Sequence, residues 1–189
     1  MKPLGVSAMG LSLAVALGIL ATTCGGDSPS DELPSEARTP QGAVESLWRH
    51  VAENDWKGAY TLLHPDCQAT ITRADYAATM AAAFRGIQIE SYRVSGTSEL
   101  ESWENGVTGK TYSADLLAVG VEITFAFSRP ADSASPLCTV TKAAPASMEQ
   151  LTGLLEAWRD GCQKAKAAYG VVAARVGEYY RIFAEVCLP

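Results

Sequence analysis

The stretch LLAVGVEITFAFS, residues 116–128, decides how the rest of this chain is read. Its odd positions Leu117, Val119, Val121, Ile123, Phe125 and Phe127 are apolar, whereas Gly120, Glu122, Thr124 and Ser128 hold even positions. Side chains on a strand alternate between its two sides, so a period of two predicts a strand with one buried face. A one-faced strand needs pairing neighbours and a layer to cover it. Upstream, Ile87, Ile89, Tyr92 and Val94 alternate with one slip near Ser91, and Asn105-Gly106 is the strongest two-residue hairpin signal in the chain. Downstream, Tyr169–Val176 and Tyr179–Cys187 are β-branched and aromatic around Gly177-Glu178, which predicts a terminal hairpin.

The covering layer lies before the strands. Thr39-Pro40 is a helix start, an N-cap followed by proline at the first helical position. Val44, Leu47, Trp48 and Val51 then recur on one helical face, and Trp56, Ala59, Tyr60 and Leu63 repeat the spacing after a break at Asn54-Asp55. His64-Pro65 stops this second helix. A third opens at Thr72 with Asp75 and presents Tyr76, Met80, Ala83 and Phe84 to one side. The fold class is therefore α+β, with N-terminal helices packed on a curved antiparallel sheet. Residues 129–146, rich in Pro, Ser and Ala, read as a loop. Ser147 and Gln150 then open a helix with the stripe Leu151, Leu154, Leu155, Trp158, Cys162 and Ala165. The block 129–168 is thus expected as a helical insertion before the last two strands.

Residues 1–23 place Lys2 before a long apolar run ending in Ala21, Thr22 and Thr23, the layout of a secretory leader. The segment resembles a bacterial lipoprotein signal, which implies that Cys24 becomes lipid-modified and N-terminal after cleavage. An ordinary cleaved signal or an uncleaved helix are the competing readings. Residues 24–38, Gly, Ser, Pro and acid with little apolar bulk, read as a flexible tether, and the domain is expected over 39–189. Losing residues 1–23 removes one cation and moves the formal charge from -6 to -7. That acidity, with no run of basic residues, excludes a nucleic-acid partner.

Five cysteines are an odd number for an exported protein. With lipid on Cys24, the even set Cys67, Cys138, Cys162 and Cys187 implies two disulfides with three connectivities open. The favoured pairs are Cys138 with Cys162, closing a local loop, and Cys67 with Cys187, joining the helical start to the last strand. A zinc site lacks both a Cys-x-x-Cys pair and histidines at ligand spacing, so no metal or other cofactor is expected.

TPQGAVESLWRHVAENDWKGAYTLLHPDC, residues 39–67, resembles the opening of nuclear-transport-factor-2-like domains in small bacterial lipoproteins, and VGEYYRI near the end resembles that family's closing strand. The resemblance covers roughly residues 39–128 and 169–187 and implies a cone, a curved sheet wrapped on a helix around a pocket. The family includes isomerases, dehydratases and cyclases alongside members that only bind, so fold leaves function open. The sequence favours the binding class. The buried face of 116–128 carries no acid, base or donor, and Glu122 lies on the opposite, solvated face. His50 flanks its helical stripe, and His64 ends its helix, where the helix dipole favours imidazolium. Tyr60, Tyr76, Tyr92 and Tyr180 are the pocket candidates, because a phenol can line an apolar cavity and offer one hydrogen bond. Trp103, beside the Asn105-Gly106 turn, is expected to be exposed as a contact point. The expectation is an extracytoplasmic, lipid-anchored module that binds a small apolar ligand or an envelope protein; the alternative is an isomerase, cyclase or hydrolase using the cone pocket.

Overall fold

The computed structural model describes residues 32–105, 109–128, 137–145 and 164–183, with 137–145 described by backbone alone. The leader, Cys24, Cys162, Cys187 and most of the expected 147–165 helix lie outside the described residues.

Helix α1 (Pro40–Ala52) starts where Thr39 Oγ1 accepts the Gly42 N–H at 3.0 Å, with Pro40 at its first position. The expected stripe Val44, Leu47, Trp48 and Val51 is buried. The folded part begins earlier than expected, however. Ser35–Arg38 form a 3-10 turn with Ala37 fully buried, so the packed domain reaches into the stretch assigned to the tether. A Cβ on Gly42 would lie 2.0 Å from the Glu36 carbonyl oxygen, so this turn and α1 meet backbone to backbone.

Three further helices follow: α2 (Trp56–Thr61), α3 (Pro65–Gln68) and α4 (Arg73–Ala83). Asp55 caps α2 through the Gly58 N–H. Thr72 caps α4, its Oγ1 accepting the Asp75 N–H at 3.1 Å and donating to the Asp75 carboxylate at 2.6 Å. On α4, Tyr76 and Met80 are buried and Phe84 partly so, whereas Ala83 is exposed. The turn α3 is additional to the sequence reading. His64-Pro65 does not simply end α2 but starts α3, with His64 as its N-cap, because proline suits the first turn as well as it terminates a preceding one.

The sheet is curved and unclosed. Its strands are β1 (Ile87–Leu100), β4 (Leu116–Phe127), β5 (Leu137–Pro145), β6 (Lys164–Val176) and β7 (Tyr179–Phe183), in the order β1-β4-β6-β5 with β7 also on β6. β6 pairs with β4 over residues 164–174, while its other edge is shared: β5 takes residues 164–170 and β7 takes 172–176. Every pairing in this sheet is antiparallel except β5 with β6. A separate small ribbon, β2 (Trp103–Glu104) with β3 (Thr111–Tyr112), links β1 to β4.

The slip near Ser91 is a β-bulge. Ile89 pairs Phe125 and Ser91 pairs Thr124, leaving Glu90 as the extra residue. A second bulge sets Ser95 and Gly96 against Gly120, where an added Cβ would come 2.3 Å from Ser95 Oγ. Such bulges bend the strand that carries them. On β4, Val119, Val121, Ile123, Phe125 and Phe127 are buried as their odd positions predict; Glu122 is exposed and pairs with Arg93 at 3.2 Å on the outer face.

Two expectations change in the second half. Residues 137–145 form strand β5 rather than loop, and β6 begins at Lys164, so Ala165 belongs to a strand and not to the expected helical stripe. Alternation explains β6: Ala165 and Ala167 are buried while Lys164, Lys166 and Ala168 are exposed. The expected 3.6-residue stripe ran on into this strand because small residues suit either period. The turn at Asn105 also differs. Asn105 N–H donates to Lys110 O at 2.9 Å, so four residues and not two separate the paired ends.

Candidate functional site

The four tyrosines nominated by sequence do not converge. Tyr60 and Tyr76 meet, ring centroids 5.7 Å apart, between α2 and α4. The Tyr60 hydroxyl is within donating distance of the carbonyls of Gln68 (3.1 Å) and Ile71 (3.0 Å), and Gln68 Nε2 donates back to the Tyr60 carbonyl at 2.9 Å. Tyr60 thus closes the loop after α3. Tyr76 is fully buried, and that burial pushes its phenol pKa up. Tyr92 on β1 pairs with Ile123 and Tyr180 on β7 pairs with Arg175; both are half-buried, with β4 and β6 between their strands.

A cleft of about 180 Å³ lies where the end of α1 meets the start of β1. Val51, Ala52, Phe84, Ile87 and Ile89 contribute apolar side chains to its lining and Asn54 and Gln88 polar ones, and most of the lining surface is polar. None of the four tyrosines lines it, and neither does any ionisable side chain. Asn54 adopts φ 58° at its edge, the left-handed region that asparagine tolerates better than most residues.

A second cluster forms on the other face of the sheet. Directly paired residues share a face, so Leu116, Ala174 and Arg181 lie on one side together with Val172 and Phe183. The β2–β3 ribbon adds Trp103 and Tyr112, whose rings approach Phe183 at 4.8 and 4.4 Å. His64 stacks on Phe183 at 4.2 Å and meets the Tyr112 ring edge-on at 5.5 Å. What brings His64 here is a short parallel bridge, Leu63 with Ile182, closed by His64 N–H to Ile182 O at 2.8 Å and Ile182 N–H to Leu62 O at 2.9 Å. Trp103 is therefore half-buried in this aromatic group instead of standing exposed at a hairpin tip.

The polar rim of the cluster is neutralised from within. Asp66 accepts from Tyr112 Oη and from Lys110 Nζ, each at 2.6 Å, and these bonds hold its carboxyl below the ordinary carboxylate range. Burial, and then the hydrogen bond to Asp66, push the Tyr112 phenol up. His64 Nδ1 accepts the Asp66 N–H at 3.2 Å, so Nε2 carries the proton, and burial lowers the imidazole pKa. The sequence expectation of an imidazolium at a helix C-terminus is reversed, because this residue caps the N-terminus of α3. Arg181 donates to the Thr61 carbonyl, and its partial burial lowers the guanidinium pKa. His50 bonds Asp55 at 2.8 Å, which leaves it in a local clip at the start of α2.

Chemically, the cluster offers a weak base in Asp66, a reluctant acid in Tyr112 and an imidazole whose acceptor nitrogen is occupied. Proton transfer needs groups poised nearer neutrality with free lone pairs. The arrangement suits binding and packing. Sequence reasoning gave Asp66, Lys110 and Tyr112 no role; no local signal marks them, because they come together across separations of 44 and 46 residues.

Comparison with protein-family models, curated proteins and solved structures returns no match for this chain.

Proposed function

We propose that this chain is a lipid-anchored, extracytoplasmic binding module of the nuclear-transport-factor-2-like kind, held to the membrane through Cys24 and taking a small apolar ligand or an apolar group of an envelope protein. The observation that supports the binding reading is the cleft beside Val51 and Ile87, which sets four apolar side chains among largely polar lining surface and has no ionisable side chain in its wall. At about 180 Å³ it is smaller than the roughly 300–1,000 Å³ of pockets that enclose a drug-sized ligand. It suits one side chain of a partner, or a short alkyl group that carries a polar end.

Export is supported by the leader and by Cys67, which is buried and disulfide-bonded to a partner outside the described side chains. Cys187 is the proposed partner. It lies four residues beyond Phe183, whose ring stacks on His64, three residues before Cys67. Cys138 is then left for Cys162, and its backbone stands opposite Ala165, three residues past Cys162.

Intact-mass analysis of protein purified from membranes, with and without reduction, tests the anchor. A diacylglyceryl-sized increment on an N-terminal Cys24 is expected; an unmodified N-terminus upstream of Cys24 would end the anchor reading. Binding is tested separately, by titrating short-chain alkyl probes against the wild type and the Ile89→Asp variant. Saturable binding lost in the variant supports the cleft, and unchanged binding removes it.

A further inference from the structure

Strand β1 is an edge: among the described residues only β4 pairs with it. Two hydrogen bonds show which of its backbone groups are left open. Ser128 N–H donates to Gly86 O at 2.8 Å, so Gly86 aims its peptide groups at β4 and, by alternation, Ile87 and Ile89 aim theirs away from it. Arg175 N–H donates to Asp115 O, which turns the odd-numbered residues of β4 toward β6; Phe125, level with Ile89, therefore faces away from β1, in agreement. Ile87 N–H is taken by Phe84 O at 2.9 Å. The Ile87 carbonyl and both backbone groups of Ile89 have no partner among the described residues.

The open stretch is short. The bulge at Glu90 breaks the ladder directly after Ile89, and the bulge at Ser95 and Gly96 breaks it again. Bulges and charged side chains are the means by which sheet edges avoid indiscriminate pairing, and Glu90 and Arg93 supply the charges here. Residues 87–89 are also the part of β1 that lines the cleft. Ile87 and Ile89 pair with Phe127 and Phe125, both buried, so their side chains lie on the covered face of the sheet. A residue placed opposite Ile89 in an antiparallel strand would exchange both backbone hydrogen bonds with it. Sharing its face, that residue would send its side chain into the space beside Val51, Ala52 and Phe84.

The chemistry of the lining selects the occupant. Its surface is mostly polar yet holds no ionisable group. The polar side chains are the amides of Asn54 and Gln88, neither hydrogen-bonded among the described residues, and the remaining polar surface is main chain. Neutral amide donors and acceptors match another neutral amide chain, whereas a bare alkyl group that displaced water would leave them unpaired. A second copy of this chain fits less well, because each carries a formal charge of -6 and the two would repel.

We propose that residues 87–89 receive an extended segment of a partner protein by strand addition, its backbone pairing with Ile89 and one short aliphatic side chain entering the cleft. This rests on the reading of the cleft as the binding site and names the class of partner it takes; it does not depend on the lipid anchor.

The test uses the full chain, isotope-labelled for NMR, and octapeptides selected on it from a random library with acetylated and amidated ends. Ile89 N–H should exchange quickly with solvent in the free protein, and a selected peptide should slow it about tenfold or more, while Gln88 N–H, already directed at β4, stays slow throughout. Scanning N-methylation along the peptide should find a position where affinity falls about tenfold with every side chain retained. Affinity indifferent to N-methylation, or Ile89 exchange unaltered at saturation, would overturn strand addition and leave the cleft in place. So would failure to select any peptide while short-chain alkyl probes still bind. Failure of peptides and alkyl probes alike would remove the cleft reading and this proposal together. Slow, concentration-dependent exchange at Ile89 in the free protein would assign the edge to a second copy and also end the proposal.

Discussion

The Tyr112 hydroxyl donates to the Asp66 carboxylate at 2.6 Å, tying the β2–β3 ribbon to the first turn of α3 across 46 residues of chain. Lys110 donates to the same oxygen, but more than half its side chain is exposed. The two bonds should therefore differ in worth. Tyr112→Phe removes a part-buried, charge-assisted bond and should cost about 1–2 kcal/mol in urea unfolding. Lys110→Met should cost less than about 1 kcal/mol. Equal losses would contradict this account of the clip.

Stability should fall on mild acidification. The His64 pKa is lowered in the folded protein, chiefly by burial, so the unfolded chain binds the proton more readily. Its contribution is present above the ordinary histidine pKa and is lost as pH falls toward the lower folded value. Asp66, also lowered, adds a loss of the same sign further into acid, below the ordinary carboxylate range. Comparing urea midpoints at pH 7.5 and 5.0 should show a decrease in the wild type that shrinks in His64→Asn, a substitution that keeps an N-cap acceptor. A midpoint that rises on acidification would reverse the assignment.

Two glycines should respond differently to alanine. At Gly42 the new Cβ would meet the backbone oxygen of Glu36 at 2.0 Å, so Gly42→Ala must displace the 3-10 turn from α1 and should cost about 1–3 kcal/mol. At Gly120 the obstacle is Ser95 Oγ, an exposed side chain able to rotate. Gly120→Ala should be milder, and Ser95→Ala should remove most of its cost. Thermal unfolding of the single and double variants measures the coupling.

Phe125→Ala probes the concave core. Phe125 is 1% exposed and pairs with Ile89 and Ala165, so truncation should cost about 3–5 kcal/mol. A loss under 1 kcal/mol by chemical denaturation would mean that this face is not packed as described.

If Cys67 and Cys187 are joined, the double variant Cys67→Ser with Cys187→Ser should lose about 2–5 kcal/mol, and a non-reducing digest of the wild type should yield one peptide pair holding both residues. Recovery of Cys67 joined to Cys138 or Cys162 would overturn the proposed pairing.

Much of the architecture was legible in local pattern. The period of two in 116–128, the stripe of Val44, Leu47, Trp48 and Val51, and the caps at Thr39, Asp55 and Thr72 all depend on neighbours within a few residues. Even the bulge at Glu90 left a trace, because an extra residue shifts the alternation near Ser91. The 129–168 block misled for the same reason: alanine and lysine satisfy helical and strand periods alike, and nothing local reveals that 137–145 finds its partner in 164–170.

Sequence alone determined the α+β class, the leader-like start, the odd cysteine and the buried face of β4, since each follows from composition or from the spacing of adjacent side chains. Tertiary structure decided that His64 caps a helix start, that Asp66 joins Lys110 and Tyr112, that the nominated tyrosines stay apart, and that β5 runs parallel to β6. Those are contacts between distant segments. They exist only once the sheet's register brings the segments together, and no periodicity within either segment encodes that register.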